Sequence, residues 1–153
     1  MPAPLTFRRV LGRFATGVTL VTAPGGESLV VNAFMPVSLE PPLAAFSAGG
    51  ASLTCRRMRR ASRLGINVLA ASVDDVRVRA RPGTDRLAGL DVQLDPCGVP
   101  RVATAVAFLL AEIVEEREIG DRTLVTGAVI AAERDASRRP LVLFGGEFGS
   151  IAA

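Results

Sequence analysis

The sequence predicts a mainly β fold, an antiparallel barrel with a few short helices. Short runs of β-branched and other apolar residues recur along the chain, and glycine or proline lies between most of them. Helical periodicity is limited to a few short stretches, so strands do not alternate regularly with helices. No G-x-G-x-x-G sequence follows a candidate strand, which argues against a Rossmann fold. At this length of 153 residues we expect residues 1–153 to form a single domain.

The first half of the chain is expected to form one helix followed by strands. Thr6 is a suitable cap for a helix over Phe7–Phe14, because four apolar side chains of this segment lie on one stripe. Pro24-Gly25-Gly26 predicts a turn between the first two strands, and the prolines that follow Phe34 exclude a helix there. The predicted strands are Val18–Thr22, Ser28–Phe34 and Leu43–Ser47.

The second half contains one segment whose type is ambiguous. Along Ala105–Ile119 the apolar residues recur at helical spacing, and periodicity alone predicts a helix there. The stretch Thr84–Pro100 is rich in turn-forming residues. Helices are further predicted over Leu53–Ala61, which begins after Ser52, and over Val73–Arg81, and strands over Ile66–Leu69, Thr123–Ile130 and Leu141–Phe144.

The composition excludes several kinds of active site. The chain contains no His, Trp or Tyr, and all 18 of its basic residues are Arg. Without His there is no Ser-His-Asp triad, and without Lys there is neither a Schiff-base residue nor a standard phosphate-binding loop. Cys55 and Cys97 lie far apart in the sequence, so we expect no metal site and two buried, unreactive thiols. An enzyme of this composition would take its reactive group from a cofactor or act mainly by binding and shaping its substrate.

Nothing in the sequence predicts export or membrane insertion. The N-terminus lacks a charged region followed by a long apolar run, and the longest apolar stretches, such as Ala103–Ala111, are too short to span a bilayer. Two cysteines are too few to indicate a disulfide framework. We therefore expect a cytoplasmic protein with reduced thiols and no membrane partner.

Four groups of residues occur in an order and spacing that cover nearly the whole chain. The first is Phe7–Thr22, and the second is Asn32-Ala33-Phe34 followed by Val37–Leu43. The third is Ser52-x-Thr54 followed by Ile66–Leu69. The fourth comprises Gly120–Leu124, Gly127-Ala128-Val129, Pro140-Leu141 and Phe144-Gly145-Gly146. Together they resemble the short-chain flavin reductases, NAD(P)H:flavin oxidoreductases that supply reduced flavin to partner monooxygenases.

The resemblance implies an FMN-binding split barrel, normally a homodimer that holds flavin near the subunit interface. It also implies a strand over Ala105–Ile119, which we prefer to the helix that periodicity predicts. The expected reaction is hydride transfer from NAD(P)H to FMN or FAD, which requires no protein nucleophile.

The resemblance also assigns roles to individual residues. The segment from Asn32 to Ser38 would line the flavin ring, and Ser52 and Thr54 would bind the flavin phosphate. Arg122 and Asp121 are the candidate catalytic residues. The residues expected to bind the cofactor are Asn32, Ala33, Phe34, Val37, Ser38, Ser52, Thr54, Asn67 and Gly146.

Several positions depart from the family pattern and motivate a second hypothesis. Arg122 stands where the family usually has His, and Pro36 stands where Ser is usual. The other departures are Val30 in place of Thr or Ser, Gly49-Gly50-Ala51 in place of a segment with a basic residue, and Glu147-Phe148 in place of Arg-Tyr. The second hypothesis is a diverged barrel that has lost flavin chemistry and binds another small apolar ligand, as a non-redox catalyst such as a cyclase or as a structural subunit.

The arginine cluster from Arg56 to Arg63 has three interpretations. Its members would bind a flavin or nicotinamide phosphate, contact a nucleic-acid backbone, or form a solvated helix face. No aromatic residue is interleaved for base stacking, so nucleic-acid binding ranks last. Two further residues have structural alternatives: a turn-stabilising role for Asn32, and for Arg122 an ion pair with Asp121 or a contact to a neighbouring strand.

Overall fold

Two short helices and twelve strands form the part of the chain that the computed structural model describes, residues 1–72 and 86–152. The helices are α1 (Pro4–Leu11) and α2 (Leu53–Met58). The strands are β1 (Thr16–Gly17), β2 (Thr19–Thr22), β3 (Ser28–Val31), β4 (Phe34–Leu39), β5 (Pro42–Gly49), β6 (Arg63–Val68), β7 (Val92–Leu94), β8 (Pro100–Val102), β9 (Ala107–Ile119), β10 (Arg122–Arg134), β11 (Leu141–Phe144) and β12 (Glu147–Ser150). The helix predicted over Val73–Arg81 lies outside the described residues. Within those residues no helix is long and apolar enough to cross a bilayer.

Seven of these strands form one antiparallel sheet that curls into a split barrel. Their order is β3-β2-β6-β9-β10-β5-β4. The edge strands β3 and β4 follow one another in the chain, so the connection Asn32-Ala33 joins opposite edges of the sheet. The backbone N–H of Ser47 on β5 donates to the carbonyl oxygen of Ala33 at 2.9 Å, which fastens this connection. The predicted mainly β, antiparallel barrel is therefore confirmed.

Side chains fill the interior of the barrel. Val21, Phe46 and Val125 are buried there on β2, β5 and β10. Cys55 and Met58 attach α2 to the same cluster. Because these side chains form a packed core, a ligand site has to lie on the outer surface of the barrel.

The hairpin of β7 and β8 covers part of that outer surface, over β6 and β9. Val99, just before β8, packs against Phe108 and Leu110 of β9. Gly65 on β6 permits the close approach, because a Cβ atom there would lie only 2.9 Å from Cγ1 of Val99.

The two ends of the chain meet in a separate three-stranded sheet of order β1-β11-β12, where Thr16 lies opposite Leu143. The preceding helix α1 begins at Pro4, a residue type favoured in the first helical turn, rather than after Thr6 as the sequence predicts. It ends at Leu11, so Phe14 lies beyond it. None of its residues is buried, which leaves its apolar stripe exposed.

The segment that periodicity assigns to a helix is strand β9, as the family resemblance implies. Phe108 and Leu110 are buried on the side covered by β7 and β8, and Ala111 is buried on the other side. Since both faces of this half of the strand are covered, the polar alternation that identifies a half-buried strand is missing. Periodicity alone is therefore wrong here.

Other element boundaries also differ from the sequence prediction. One strand over Ser28–Phe34 is expected, but β3 ends at Val31 and β4 begins at Phe34. Pro36 lies within β4, which is possible because β4 is an edge strand. Strands β1, β7, β8 and β12 are not predicted at all.

Candidate functional site

One outer face of the barrel is formed by β4, β5 and β10. Across these strands Met35 lies opposite Ala45, and Ala45 lies opposite Thr126. In the next row Ser47 lies opposite Leu124. The alternate residues of the same strands belong to the barrel core, so these five side chains point outward. The central strand β5 contributes small side chains, Ala45 and Ser47, to this face.

Arg122 provides a positive charge at the edge of this face. Its Nη2 donates to the backbone oxygen of Ser47 at 2.9 Å and to the hydroxyl oxygen of Ser47 at 3.3 Å. The backbone N–H of Ser47 donates in turn to Ala33. Ser47 thus connects the predicted flavin-binding segment with the predicted catalytic arginine, and of the two structural alternatives Arg122 adopts the contact to a neighbouring strand.

The loop before α2 lies against the turn between β9 and β10. The backbone N–H of Gly50 donates to the carbonyl oxygen of Asp121 at 2.9 Å. Ser52 caps α2, because its Oγ accepts a hydrogen bond from the N–H of Cys55 at 3.2 Å. The structure therefore brings the predicted phosphate-binding loop next to Asp121 and Arg122.

Four predicted site residues have side chains with unused hydrogen-bonding groups. Within residues 1–72 and 86–152, no protein hydrogen bond is made by the side chains of Asn32, Ser38, Thr54 and Asp121. Asn32 consequently does not stabilise its turn through its side chain. Asp121 contributes its backbone oxygen to the loop contact and leaves its carboxylate exposed.

The edge strand β4 exposes large apolar side chains. Met35 is 50% exposed, Val37 48% and Leu39 89%. Val37 is a β-bulge, since the pairing with β5 passes from Pro36 directly to Ser38. An open sheet edge that carries exposed apolar residues is normally covered by a ligand or a partner in soluble proteins.

Asn67 occupies a different place from the one predicted. Its side chain is fully buried beneath β8, and its Oδ1 accepts from the N–H of Val102 at 2.8 Å. Its Nδ2 donates to the backbone oxygen of Leu20 at 3.0 Å and approaches the hydroxyl of Thr22 at 3.4 Å. Because its polar atoms are satisfied within the protein, the structure gives Asn67 a structural role, which argues against its predicted contact with a cofactor.

Gly146 lies away from the face that carries Arg122. It forms the turn between β11 and β12 with a φ of 86°, a conformation that favours glycine. The adjacent Gly145 donates to the carbonyl oxygen of Gly12 at the end of α1. The three-stranded sheet shares no strand with the seven-stranded one, so within one chain Gly146 does not join the other predicted site residues.

The two thiols have different surroundings. Cys55 is buried, and burial raises the pKa of its thiol above the ordinary value, with a smaller rise from Glu116 opposed by Arg59 and Arg122. Its thiol is therefore protonated near neutral pH and is not a nucleophile. Cys97 is exposed, in contrast to the prediction, and its Sγ lies 2.7 Å from Nη1 of Arg63.

Much of the arginine cluster is held in ion pairs with acidic residues. Arg59 contacts Glu116 of β9 at 2.6 Å, and Arg63 contacts Glu112 of the same strand at 2.8 Å. Arg57 contacts Glu27 at 3.3 Å. These arginines fasten α2 and β6 to neighbouring elements, which favours a structural interpretation for them over phosphate or nucleic-acid binding.

Sequence reasoning did not identify Ser47 as a site residue. The available signal was modest: Ser47 is the only polar residue between Leu43 and Ala48 in an otherwise apolar strand. Such a residue on the outward side of a central strand is a candidate for a contact with a neighbouring strand or a ligand.

A cavity of about 260 Å³ lies elsewhere, between the hairpin and the far end of β10. Leu94, Phe108 and Leu110 line it, together with the ion pair of Arg101 and Glu133 at 2.7 Å. It contains none of the predicted site residues.

Comparison with known proteins identifies the family. The model for the flavin reductase like domain matches residues 11–152. The FMN reductase (NADH) SmoA of Agrobacterium fabrum is 35% identical, over 96% of this chain and 86% of SmoA. The reductase subunit HsaB of a flavin-dependent monooxygenase from Mycobacterium tuberculosis is 30% identical, over 97% of this chain and 82% of HsaB.

A solved structure extends the likeness to three dimensions. The NADH:FAD oxidoreductase SgcE6 of Streptomyces globisporus, in complex with NAD and FAD fragments, superposes with a TM-score of 0.89. It is 35% identical, and the likeness covers 97% of this chain and 92% of SgcE6. The chain therefore belongs to the flavin reductase-like family.

Proposed function

We propose that this protein is an NAD(P)H:flavin oxidoreductase that transfers hydride from the nicotinamide to FMN or FAD. The observation that carries the proposal is the outer face beside Arg122, where an exposed apolar edge strand adjoins a positioned guanidinium group. The family supports the same reaction, since the relatives described above are named for NADH-dependent reduction of FMN and FAD.

The residues of this face suit a flavin. A flavin ring has apolar faces and a polar edge, and β4 combines exposed apolar side chains with backbone groups at an open sheet edge. The hydroxyl of Thr54 is free, and that of Ser52 keeps its hydrogen while its oxygen caps α2, so both remain donors for a phosphate. A flavin held by these residues would supply the redox chemistry that the side chains of the protein lack.

The side chains of the site orient the bound nucleotides and stabilise their negative charge, and they do not exchange protons with them. Arg122 contributes a planar guanidinium cation with several N–H donors. Its charge attracts the negative groups of the nucleotides. The amide of Asn32 is available to donate or accept at the rim of the face. A hydride transfer needs no protein base, which is consistent with a chain that has no His and no Lys.

We also propose that the protein acts as a homodimer and forms a single domain over residues 1–153. Support for the dimer comes from α1, where Leu5, Phe7, Val10 and Leu11 are all more than half exposed. Apolar patches of this kind mark interaction surfaces. Support for the single domain comes from β1 and β11, which pair the start of the chain with its end. Size-exclusion chromatography with light scattering measures the mass directly.

The partner that consumes reduced flavin is proposed to be a flavin-dependent monooxygenase, as the name of HsaB states for that protein. A cytoplasmic location is proposed because both cysteines are free thiols, as expected in a reducing compartment. Co-purification of a monooxygenase and cell fractionation test these two points.

The central experiment measures flavin reduction by the purified protein. Under anaerobic conditions, NADH or NADPH should bleach the 450 nm absorbance of added FMN or FAD only when the protein is present. Val37→Asp places a charge on the exposed edge of β4 and should weaken flavin binding at least tenfold.

A matched control distinguishes the proposed site from the cavity. Leu94→Asp introduces the same charge at a side chain that is 68% exposed and lines the cavity. It should leave flavin reduction unchanged. Folded protein that neither binds nor reduces flavin would exclude the proposed function and favour the second hypothesis of another ligand.

A further inference from the structure

Ser47 makes a contact that no other residue of its strand makes. It lies on β5 between the rows of Ala45 and Gly49 and is half-buried, and both its backbone oxygen and its hydroxyl oxygen accept from Nη2 of Arg122. Its N–H is bonded to Ala33, so Ser47 itself cannot shift along the sheet. The two acceptors hold one end of a long and otherwise exposed side chain.

The register explains why this contact places the guanidinium on the outer face. Arg122 lies opposite Gly49, and Ser47 lies two residues further along β5 on the same side of the sheet. The side chain of Arg122 therefore lies diagonally across the face, toward the row that contains Leu124. Gly49 carries no side chain and leaves this path open.

We propose that Ser47 is a positioning residue that holds the guanidinium of Arg122 where it binds the negative charge of the flavin nucleotide. This inference rests on the proposed function. An exposed arginine samples many rotamers, and fixing it in advance reduces the entropy lost on binding an anion. The negative charge has two possible sources, the phosphate and the reduced ring. A fixed cation binds either of them by the same charge-assisted hydrogen bonds.

A pair of isosteric substitutions tests the contact. Ser47→Val and Ser47→Thr give side chains of the same shape: Val removes the hydroxyl and carries two methyl groups, whereas Thr keeps the hydroxyl and adds one methyl group. Ser47→Val should raise the dissociation constant of FMN about fivefold, measured by quenching of flavin fluorescence, and Ser47→Thr should stay close to the wild type. Arg134→Gln, which lies on the same strand as Arg122 but remote from the face, is the control for the positive charge lost in Arg122→Gln.

A double-mutant cycle separates positioning from a general structural effect. If Ser47 acts through Arg122, Ser47→Val should add nothing to the weakened binding of Arg122→Gln. Repeating the titrations with riboflavin, which lacks phosphate, and with chemically reduced FMN identifies the charge. A loss for FMN alone assigns it to the phosphate, and a loss for riboflavin as well, largest in the reduced state, assigns it to the ring.

Failure of the inference is distinguishable from failure of the proposed function. Wild-type protein that binds no flavin removes the proposed function. Wild-type protein that binds flavin, together with equal effects of Ser47→Val in the presence and absence of Arg122, or with Ser47→Thr as damaging as Ser47→Val, overturns the positioning role. Circular dichroism and thermal unfolding confirm that each variant is folded.

Discussion

Asn67 on β6 accepts a hydrogen bond from the backbone N–H of Val102 on β8 at 2.8 Å. Within the described residues β8 pairs only with β7, so this side chain supplies an attachment of the hairpin to the barrel. The same amide donates to Leu20 on β2. A polar residue in a family signature thus serves the fold, and it does so beneath the hairpin rather than on the outer face beside Arg122.

Replacing Asn67 should therefore affect stability. Asn67→Ala leaves the N–H of Val102 buried without a partner, removes the side-chain hydrogen bond to Leu20 and opens a small cavity, which we expect to cost about 2–4 kcal/mol in the free energy of unfolding. Urea unfolding followed by circular dichroism measures it. Asn32→Ala, at an exposed side chain without hydrogen bonds in the described chain, should change stability by less than about 0.5 kcal/mol. Equal stabilities for the two variants would contradict the structural role.

Gly65 is expected to tolerate no side chain. A Cβ atom at this position would lie 2.5 Å from Oγ1 of Thr22 and 2.9 Å from Cγ1 of Val99, both in buried residues. Gly65→Ala should destabilise the protein by about 2 kcal/mol, seen as a lower melting temperature. Gly17→Ala is the matched control, because a Cβ atom at Gly17 has no neighbour within 4 Å. If both variants melt together, β8 is not held as close to β6 as described.

The buried thiol of Cys55 predicts a loss of stability at alkaline pH. Burial raises the pKa of this thiol, so the folded chain keeps a proton that the unfolded chain releases above pH 9.0. The contribution of the protonated thiol to the free energy of unfolding is fully present below pH 9.0 and is lost as the pH rises toward the folded-state pKa. The wild type should lose stability relative to Cys55→Ala as the pH rises above 9.0.

This alkaline window is favourable for the measurement, because the chain contains no Tyr and no Lys that would titrate in it. Urea unfolding at a series of pH values compares the two proteins. Parallel pH dependences for wild type and Cys55→Ala would show that the thiol is ionised as easily in the folded chain as in the unfolded one.

Flavin reduction should be nearly independent of pH around neutrality. The chain has no His, and the raised pKa of Cys55 keeps that thiol neutral. We expect kcat/KM to vary less than about twofold between about pH 6 and pH 8.5. Arg122→His introduces a group that titrates in this range and should produce a sigmoidal profile. A bell-shaped profile in the wild type would indicate a proton donor or acceptor that the present site lacks.

The sequence by itself determined the class of the fold and the kind of chemistry. Short apolar runs separated by glycine and proline specify an antiparallel barrel, and four spaced motifs specify the family, because turn chemistry and strand patterning are local properties of the chain. The lack of His and Lys likewise indicates, from composition alone, that the reactive group comes from a cofactor.

Only the tertiary structure decided which polar residues are buried and which are exposed at the candidate site. Asn67 and Asn32 are the same residue type in neighbouring motifs, yet one is buried beneath β8 and the other is exposed at the joined edges of the sheet. Ser47 is a site residue because the register of β5 and β10 brings Arg122 within hydrogen-bonding distance of it. Register and layering depend on contacts between residues far apart in sequence, and a strand such as β9, covered on both faces, carries no local pattern that reveals them.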